Sequence, residues 1–249
     1  MKQDRRKFLI KSSLASLALA GTPLLAHKVS AAPVAMPKNM TVLFQGDSIT
    51  DAGRAKDQKD ANSTAGMGRG YVIQTAAQLT AENHNTSFSI YNRGISGHKV
   101  HQLAARWDDD ALMLKPDVLS ILIGINDYWH MVNGKYAGTV EIYENDFRAL
   151  LERTKKALPN VKFLICEPFA VWGGKAITER WKKELPGYQS SAAKLADEFD
   201  AGFVPFQAVF NKALKKAPAS VWCPDGVHPS LAGGHLMAEA WMKEFNKLY

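Results

Sequence analysis

The sequence predicts an α/β protein whose central parallel sheet is covered by helices on both faces. Short apolar runs alternate with longer amphipathic stretches from residue 32 to the C-terminus, the order expected of repeated β-α units. Several runs, such as Val118-Leu119-Ser120-Ile121-Leu122-Ile123, are almost continuously apolar, as suits strands buried on both sides. No internal repeat, low-complexity tract or Pro/Gly-rich linker divides residues 32–249, so one domain is expected.

In chain order, the strand candidates are Thr41–Gln45, Phe88–Asn92, Asp117–Ile123, Lys162–Glu167 and Gly202–Phe206. Helix candidates lie between them at Gly70–Glu82, Lys99–Asp110, Val140–Leu158 and Thr178–Phe199. Two more follow the last strand, over Ala208–Lys216 and Leu231–Leu248. Right-handed crossovers then make the sheet parallel, and ligands are expected beyond the carboxyl ends of its strands.

Residues 1–31 read as an export signal. Lys2, Arg5, Arg6, Lys7 and Lys11 make a basic start, an apolar stretch follows to Leu25, and Val29-Ser30-Ala31-Ala32 supplies small residues for cleavage. The Arg5-Arg6 pair resembles a twin-arginine signal, which implies a periplasmic or secreted product. Ser16, Gly21, Thr22 and Pro23 interrupt the apolar stretch and argue against a permanent membrane span. This segment carries six of the 31 Lys/Arg and one of the 24 acidic residues, so the remainder has 25 basic and 23 acidic residues, a net of +2. So small a balance gives no reason to expect nucleic-acid binding.

Cys166 and Cys223 permit one disulfide in an oxidising compartment without requiring it, and their spacing fits neither zinc nor thiol-redox chemistry. Lone histidines such as His98, His101, His130 and His235 lack zinc-motif spacing. Gly66-Met67-Gly68-Arg69-Gly70 lacks the Lys-Ser/Thr ending of a phosphate loop and reads as a flexible lead into a helix.

The chemistry-bearing residues gather at strand ends. Gly46-Asp47-Ser48 follows the first strand, and Asn92-Arg93-Gly94-Ile95-Ser96-Gly97 follows the second. Gly124-Ile125-Asn126-Asp127 follows the third, and Asp225-Gly226-Val227-His228-Pro229 lies near the C-terminus. A serine hydroxyl needs a base to take its proton, and that base needs an orienting carboxylate. Ser48, His228 and Asp225 are the candidates for those roles. Acyl transfer also needs donors for a tetrahedral oxyanion, which the N–H groups of Ser48 and Gly97 and the amide of Asn126 can supply. Asp47 and Asp127 are expected to brace their loops through hydrogen bonds to backbone N–H groups.

These four blocks resemble those of the SGNH hydrolases, also called GDSL esterases, across essentially the whole of residues 32–249. The resemblance implies a three-layer α/β/α sandwich with a five-stranded, flavodoxin-like sheet, a Ser–His–Asp triad, and no metal or cofactor. Ser48 is accordingly not the elbow serine of Gly-x-Ser-x-Gly hydrolases. Gly46–Arg54, Ala105–Asp110 and Ile123–Trp129 are similar to segments of bacterial SGNH acetylxylan esterases, whereas residues 167–224 match more loosely. Acetylated oligo- or polysaccharide is thus the implied substrate, with lipid-directed esterase, lysophospholipase or thioesterase chemistry as the alternative. Homo-oligomers are common among such esterases, although no segment here specifies an interface. Trp129 and Trp222, each beside a catalytic block, are candidates for stacking on sugar rings, against ordinary packing as the alternative.

Overall fold

A computed structural model describes residues 35–249. The export signal expected over residues 1–31 lies outside the described residues. Five strands, β1 (Asn39–Gly46), β2 (Ser87–Asn92), β3 (Val118–Leu122), β4 (Lys162–Cys166) and β5 (Gly202–Val204), form one sheet in the order β2-β1-β3-β4-β5. Every neighbouring pair is parallel. This is the flavodoxin-like order, which reverses between β1 and β3. The chain leaves β1 toward one edge and β3 toward the other, opening a crevice at their carboxyl ends.

Between the strands lie α1 (Ser48–Asp51), α2 (Thr64–Met67), α3 (Tyr71–Glu82), α4 (Val100–Ala104), α5 (Trp107–Asp110), α6 (Ile125–Val132), α7 (Val140–Ala157) and α8 (Glu179–Glu198). After β5 come α9 (Phe206–Ala213), α10 (Ala219–Trp222) and α11 (Leu231–Phe245). Helices α3 and α9 pack against α11, while α4 and α8 pack against α7.

Side-chain alternation along β1 shows why both sheet faces are covered. Phe44 meets the rings of Tyr71 in α3 and Trp241 in α11 at 5.9 and 5.1 Å. Its register partner Ser120 accepts a 2.9 Å hydrogen bond from the Trp241 indole. The next residue, Gln45, turns the other way and donates to the Asp110 carbonyl at 2.8 Å. Trp107, wholly buried, caps that second layer by donating to Thr154 of α7 at 2.9 Å. Both layers are therefore closed by aromatic side chains with a satisfied polar atom.

Three expectations need correction. The helix expected over Lys99–Asp110 is two short helices, because Arg106 leaves helical geometry at φ −120° and ψ 13°. There its guanidinium reaches Asp110 at 2.7 Å and His98 Nδ1 at 3.3 Å. Phe206, read as the end of a strand, instead opens α9 behind Pro205, and β5 stops at Val204. The Gly124-Ile125-Asn126-Asp127 block, read as a loop at a strand end, is the N-cap and first turn of α6. Cys166 and Cys223 are both free and buried, so the permitted disulfide is not formed. Among the described residues no helix is long and apolar enough to cross a membrane.

Candidate active site

Ser48 stands at the crevice, two residues beyond Gly46, the last residue of β1. The Asp47 carboxylate caps α1 by accepting from the Ile49 N–H at 3.0 Å, so the chain turns sharply and leaves Ser48 at the helix start. Ser48 Oγ is 2.8 Å from His228 Nε2. On the other side of the ring, His228 Nδ1 lies 2.6 Å from Asp225 Oδ2. Asp225 Oδ1 accepts from the N–H groups of Val227 and His228 at 2.8 and 2.7 Å, which pins the carboxylate within its own turn. Burial alone would raise the Asp225 pKa. Hydrogen bonds from the His228 ring and from the two backbone N–H groups outweigh it and hold the carboxyl below its ordinary value. An ionised Asp225 makes His228 Nδ1 the protonated nitrogen, leaving Nε2 free to accept from Ser48.

The β2 end is tied to this turn by two side chains whose role the sequence alone did not reveal. Asn92 donates to the carbonyls of Thr50 and Met67 at 2.7 and 2.8 Å and accepts from Gly94 at 2.9 Å. Asp51 accepts from the N–H and hydroxyl of Ser96 at 2.9 and 2.7 Å and pairs with Lys56 at 3.0 Å. Gly94 is required by the close approach: a Cβ there would sit 2.4 Å from the Asp51 nitrogen. Gly97, three residues on, has φ +80° and open space where a Cβ would be, so it combines a left-handed turn with an uncovered backbone. Asn126, nearly buried in the first turn of α6, has its amide nitrogen held by the His98 carbonyl at 3.3 Å. The three expected oxyanion donors thus come from the ends of β1, β2 and β3.

Asp47 braces the turn after β1, whereas Asp127 stands in α6 rather than a loop and accepts from the Val100 N–H at the start of α4 at 3.3 Å. Each keeps a second oxygen that is buried without a partner. Burial, chiefly, pushes both carboxyls up to about 7. Between about pH 4 and about pH 7 folded Asp47 holds a proton that the unfolded chain has released, so stability falls as the pH rises through that window and stays lowered above it. Asp47→Asn keeps the acceptor for Ile49 and removes the ionisation. Its Tm is expected to drop less than the wild-type Tm between about pH 5 and 8. Equal drops, measured by calorimetry, would contradict a buried titrating Asp47.

A cavity of about 230 Å³ opens beside Ser48 Oγ, lined by Ser48, Ile49, Arg69, Tyr71 and His228 with backbone of Gly70. The glycine-rich segment read as a flexible lead therefore forms one wall of the site, with Thr64–Met67 coiled as α2 and Gly70 opening α3. Trp129, in α6, packs edge-on against Trp181 at 5.5 Å, with its ring 6.5 Å from that of His228. Trp222 is turned elsewhere: its indole donates to the Ala217 carbonyl at 3.0 Å, and it lines a separate cavity with Val209, Lys212 and Lys243. His98 is half-buried, and burial together with the neighbouring Arg106 pushes its pKa down to about 4. Among the described residues no cluster of His, Cys, Asp and Glu could hold a metal ion.

The model of the GDSL-like lipase/acylhydrolase family matches residues 44–236, from within β1 to within α11. The chain belongs to this family. It is a carboxylic ester hydrolase. Among relatives, the acetylxylan esterase of Geobacillus stearothermophilus is 34% identical over 205 residues, covering 82% of this chain and 92% of its own. The crystal structure of that Geobacillus esterase superposes with a TM-score of 0.75 at 33% identity, covering 82% of this chain and 93% of the other. A Parabacteroides merdae protein described as a GDSL-like lipase is 49% identical with a TM-score of 0.84, covering 87% of this chain and all of its own. The α/β/α architecture expected from the family blocks is therefore the observed one. In this GDSL hydrolase the four blocks converge on one crevice although they are up to 180 residues apart in sequence.

Proposed function

We propose that this GDSL hydrolase removes O-acetyl groups from carbohydrates of the xylan or xylo-oligosaccharide type, through an acyl-enzyme on Ser48. His228 Nε2 takes the proton of Ser48 Oγ as the oxygen bonds to the acetyl carbonyl carbon. Negative charge on the carbonyl oxygen is met by the N–H groups of Ser48 and Gly97 and the amide of Asn126. The intermediate collapses with cleavage of the bond to the sugar oxygen, which receives the proton from His228. Water then attacks the acyl carbon, His228 takes its proton, and acetate departs as Ser48 regains a hydrogen. Asp225 stabilises the imidazolium formed in each half-reaction.

The observation that carries the acetyl assignment is the size of the cavity beside Ser48. At about 230 Å³, with Arg69 among its lining residues, it suits a short acyl group and a polar leaving group rather than a long hydrocarbon chain. The acetylxylan esterase activity of the Geobacillus relative supports the same substrate class. Acetate release from acetylated xylo-oligosaccharides should be fast, and p-nitrophenyl ester hydrolysis should fall steeply beyond short acyl chains. Rising rates toward long acyl chains would replace this substrate with a lipid-like one. Asn126→Ala should lower kcat on p-nitrophenyl acetate by on the order of 10²–10³ with KM little changed. An unaltered kcat would remove Asn126 from the oxyanion hole.

We also propose that the domain over residues 32–249 works after export, with residues 1–31 removed. The adjacent Arg5 and Arg6 support a twin-arginine route to the periplasm or medium.

A further inference from the structure

Arg69 lines the active-site cavity from the glycine-rich segment before α3, and two contacts fix where it stands. Its backbone N–H donates to the Ala52 carbonyl at 3.0 Å, which ties the segment to the turn that follows α1. Its guanidinium lies against Gly53, where a Cβ would come within 2.9 Å of Nη2 and 3.5 Å of Nε. Glycine leaves that space open, and Gly53 also has φ +71°. Nη1 is the terminal nitrogen farther from Gly53. Five residues on, Gln74 of α3 donates to the Leu231 carbonyl at 3.3 Å, so the start of α3 is also tied to the chain running from His228 into α11.

The cavity lies to one side of the nucleophile. Ser48, Ala52, Arg69, His228 and Pro229 contribute to its walls, whereas Gly97 and Asn126 do not. In acyl transfer the carbonyl oxygen turns toward the oxyanion donors, and the departing oxygen must lie near His228 Nε2, which protonates it. The group that leaves is therefore carried on the His228 side of Ser48, where Arg69 shares the cavity. Arg69 is exposed, and among the described residues its guanidinium has neither an acidic partner nor a hydrogen bond. Asp51, in the facing turn, is already taken by Lys56 and Ser96. A guanidinium is a planar fork of donors with no acceptor, and neighbouring oxygens on a sugar ring can accept from it in pairs.

We propose that Arg69 binds the leaving sugar, donating to its ring hydroxyl oxygens while the ester carbonyl lies at Ser48. The subsite rests on the acetylated-carbohydrate function proposed above and names the residue that selects a polyhydroxyl leaving group. Arg69 is a binding residue, outside the bond-making steps. Because Ala52 and Gly53 hold it before substrate arrives, it loses little side-chain freedom on binding.

Two acetate esters of similar ring size separate the leaving group from the acyl group. One is a mono-O-acetylated methyl xyloside, which carries free hydroxyls, and the other is cyclohexyl acetate, which carries none. Arg69→Met should lower kcat/KM on the acetylated xyloside roughly tenfold, the scale of one charge-assisted hydrogen bond, chiefly by raising KM. On cyclohexyl acetate the fall should be several-fold smaller. Comparing variant with wild type on the same ester cancels the different intrinsic reactivities of the two. Arg69→Lys, which keeps the charge but not the planar fork, should fall between wild type and Arg69→Met on the xyloside. Equal falls on both esters, or no fall on the xyloside, would overturn the role of Arg69 alone. Cleavage of cyclohexyl acetate by the wild-type protein, with no acetate released from the xyloside or from acetylated xylo-oligosaccharides, would overturn the carbohydrate function, and the subsite with it.

Discussion

Ser48→Ala is expected to lower kcat by on the order of 10⁶, leaving only what the oxyanion donors and substrate binding provide. The size of the effect follows from the geometry. Ser48 Oγ lies within hydrogen-bond reach of His228, at 2.8 Å, and Ser48 lines the adjoining cavity. Thr50, two residues on, cannot replace it, because it is buried and its hydroxyl faces that of Tyr71 at 3.3 Å. Folding should be unaffected, since Ser48 is only partly buried and Asp47, not Ser48, caps α1. Loss of turnover with an unchanged thermal melt is the expected pair of results. Retained activity would require a different nucleophile.

The second large effect is expected from Asp225→Asn, on the order of 10⁴ in kcat. An asparagine can keep the hydrogen bonds from the Val227 and His228 N–H groups, so the turn survives. It removes the negative charge 2.6 Å from His228 Nδ1 and can present an N–H where a carboxylate oxygen stood. The ring then favours the wrong tautomer, with a proton on the nitrogen that should accept from Ser48. Because hydrogen bonding keeps the Asp225 pKa below its ordinary value, wild-type activity should not be lost through this carboxylate at mildly acidic pH. A kcat of Asp225→Asn within a few-fold of wild type would show that the carboxylate does not orient His228.

The strands were legible because a parallel strand covered on both faces has to be apolar nearly throughout. Val118–Leu122 is buried at every position and was predicted to within a residue at each end. Ser48, Gly97 and Asn126 stood out because each lies in a short polar block where an apolar run stops, and Asp225 and His228 because they share one short block near the C-terminus. Helix α6 was hidden for a physical reason. It starts directly after β3 with Gly124 at φ +123° and no side-chain cap, so none of the usual start signals is present. Its burial of Ile125 and Tyr128 depends on partners distant in sequence, such as Trp181 at 4.9 Å from the Tyr128 ring. Asp51 and Asn92 lie within segments that the sequence marked out, but their bracing roles were not legible, since their partners lie in other parts of the chain. The direction of Trp222 was decided by one hydrogen bond to Ala217, which sequence spacing does not specify.

The most direct test of the central claim is to locate the acyl group. The wild-type protein is mixed with p-nitrophenyl acetate, quenched in acid during turnover, digested and mapped by mass spectrometry. The mechanism predicts one acetyl group on the peptide that contains Ser48, and none on that peptide in Ser48→Ala. An acetyl group found reproducibly on another residue, and still formed by Ser48→Ala, would contradict it.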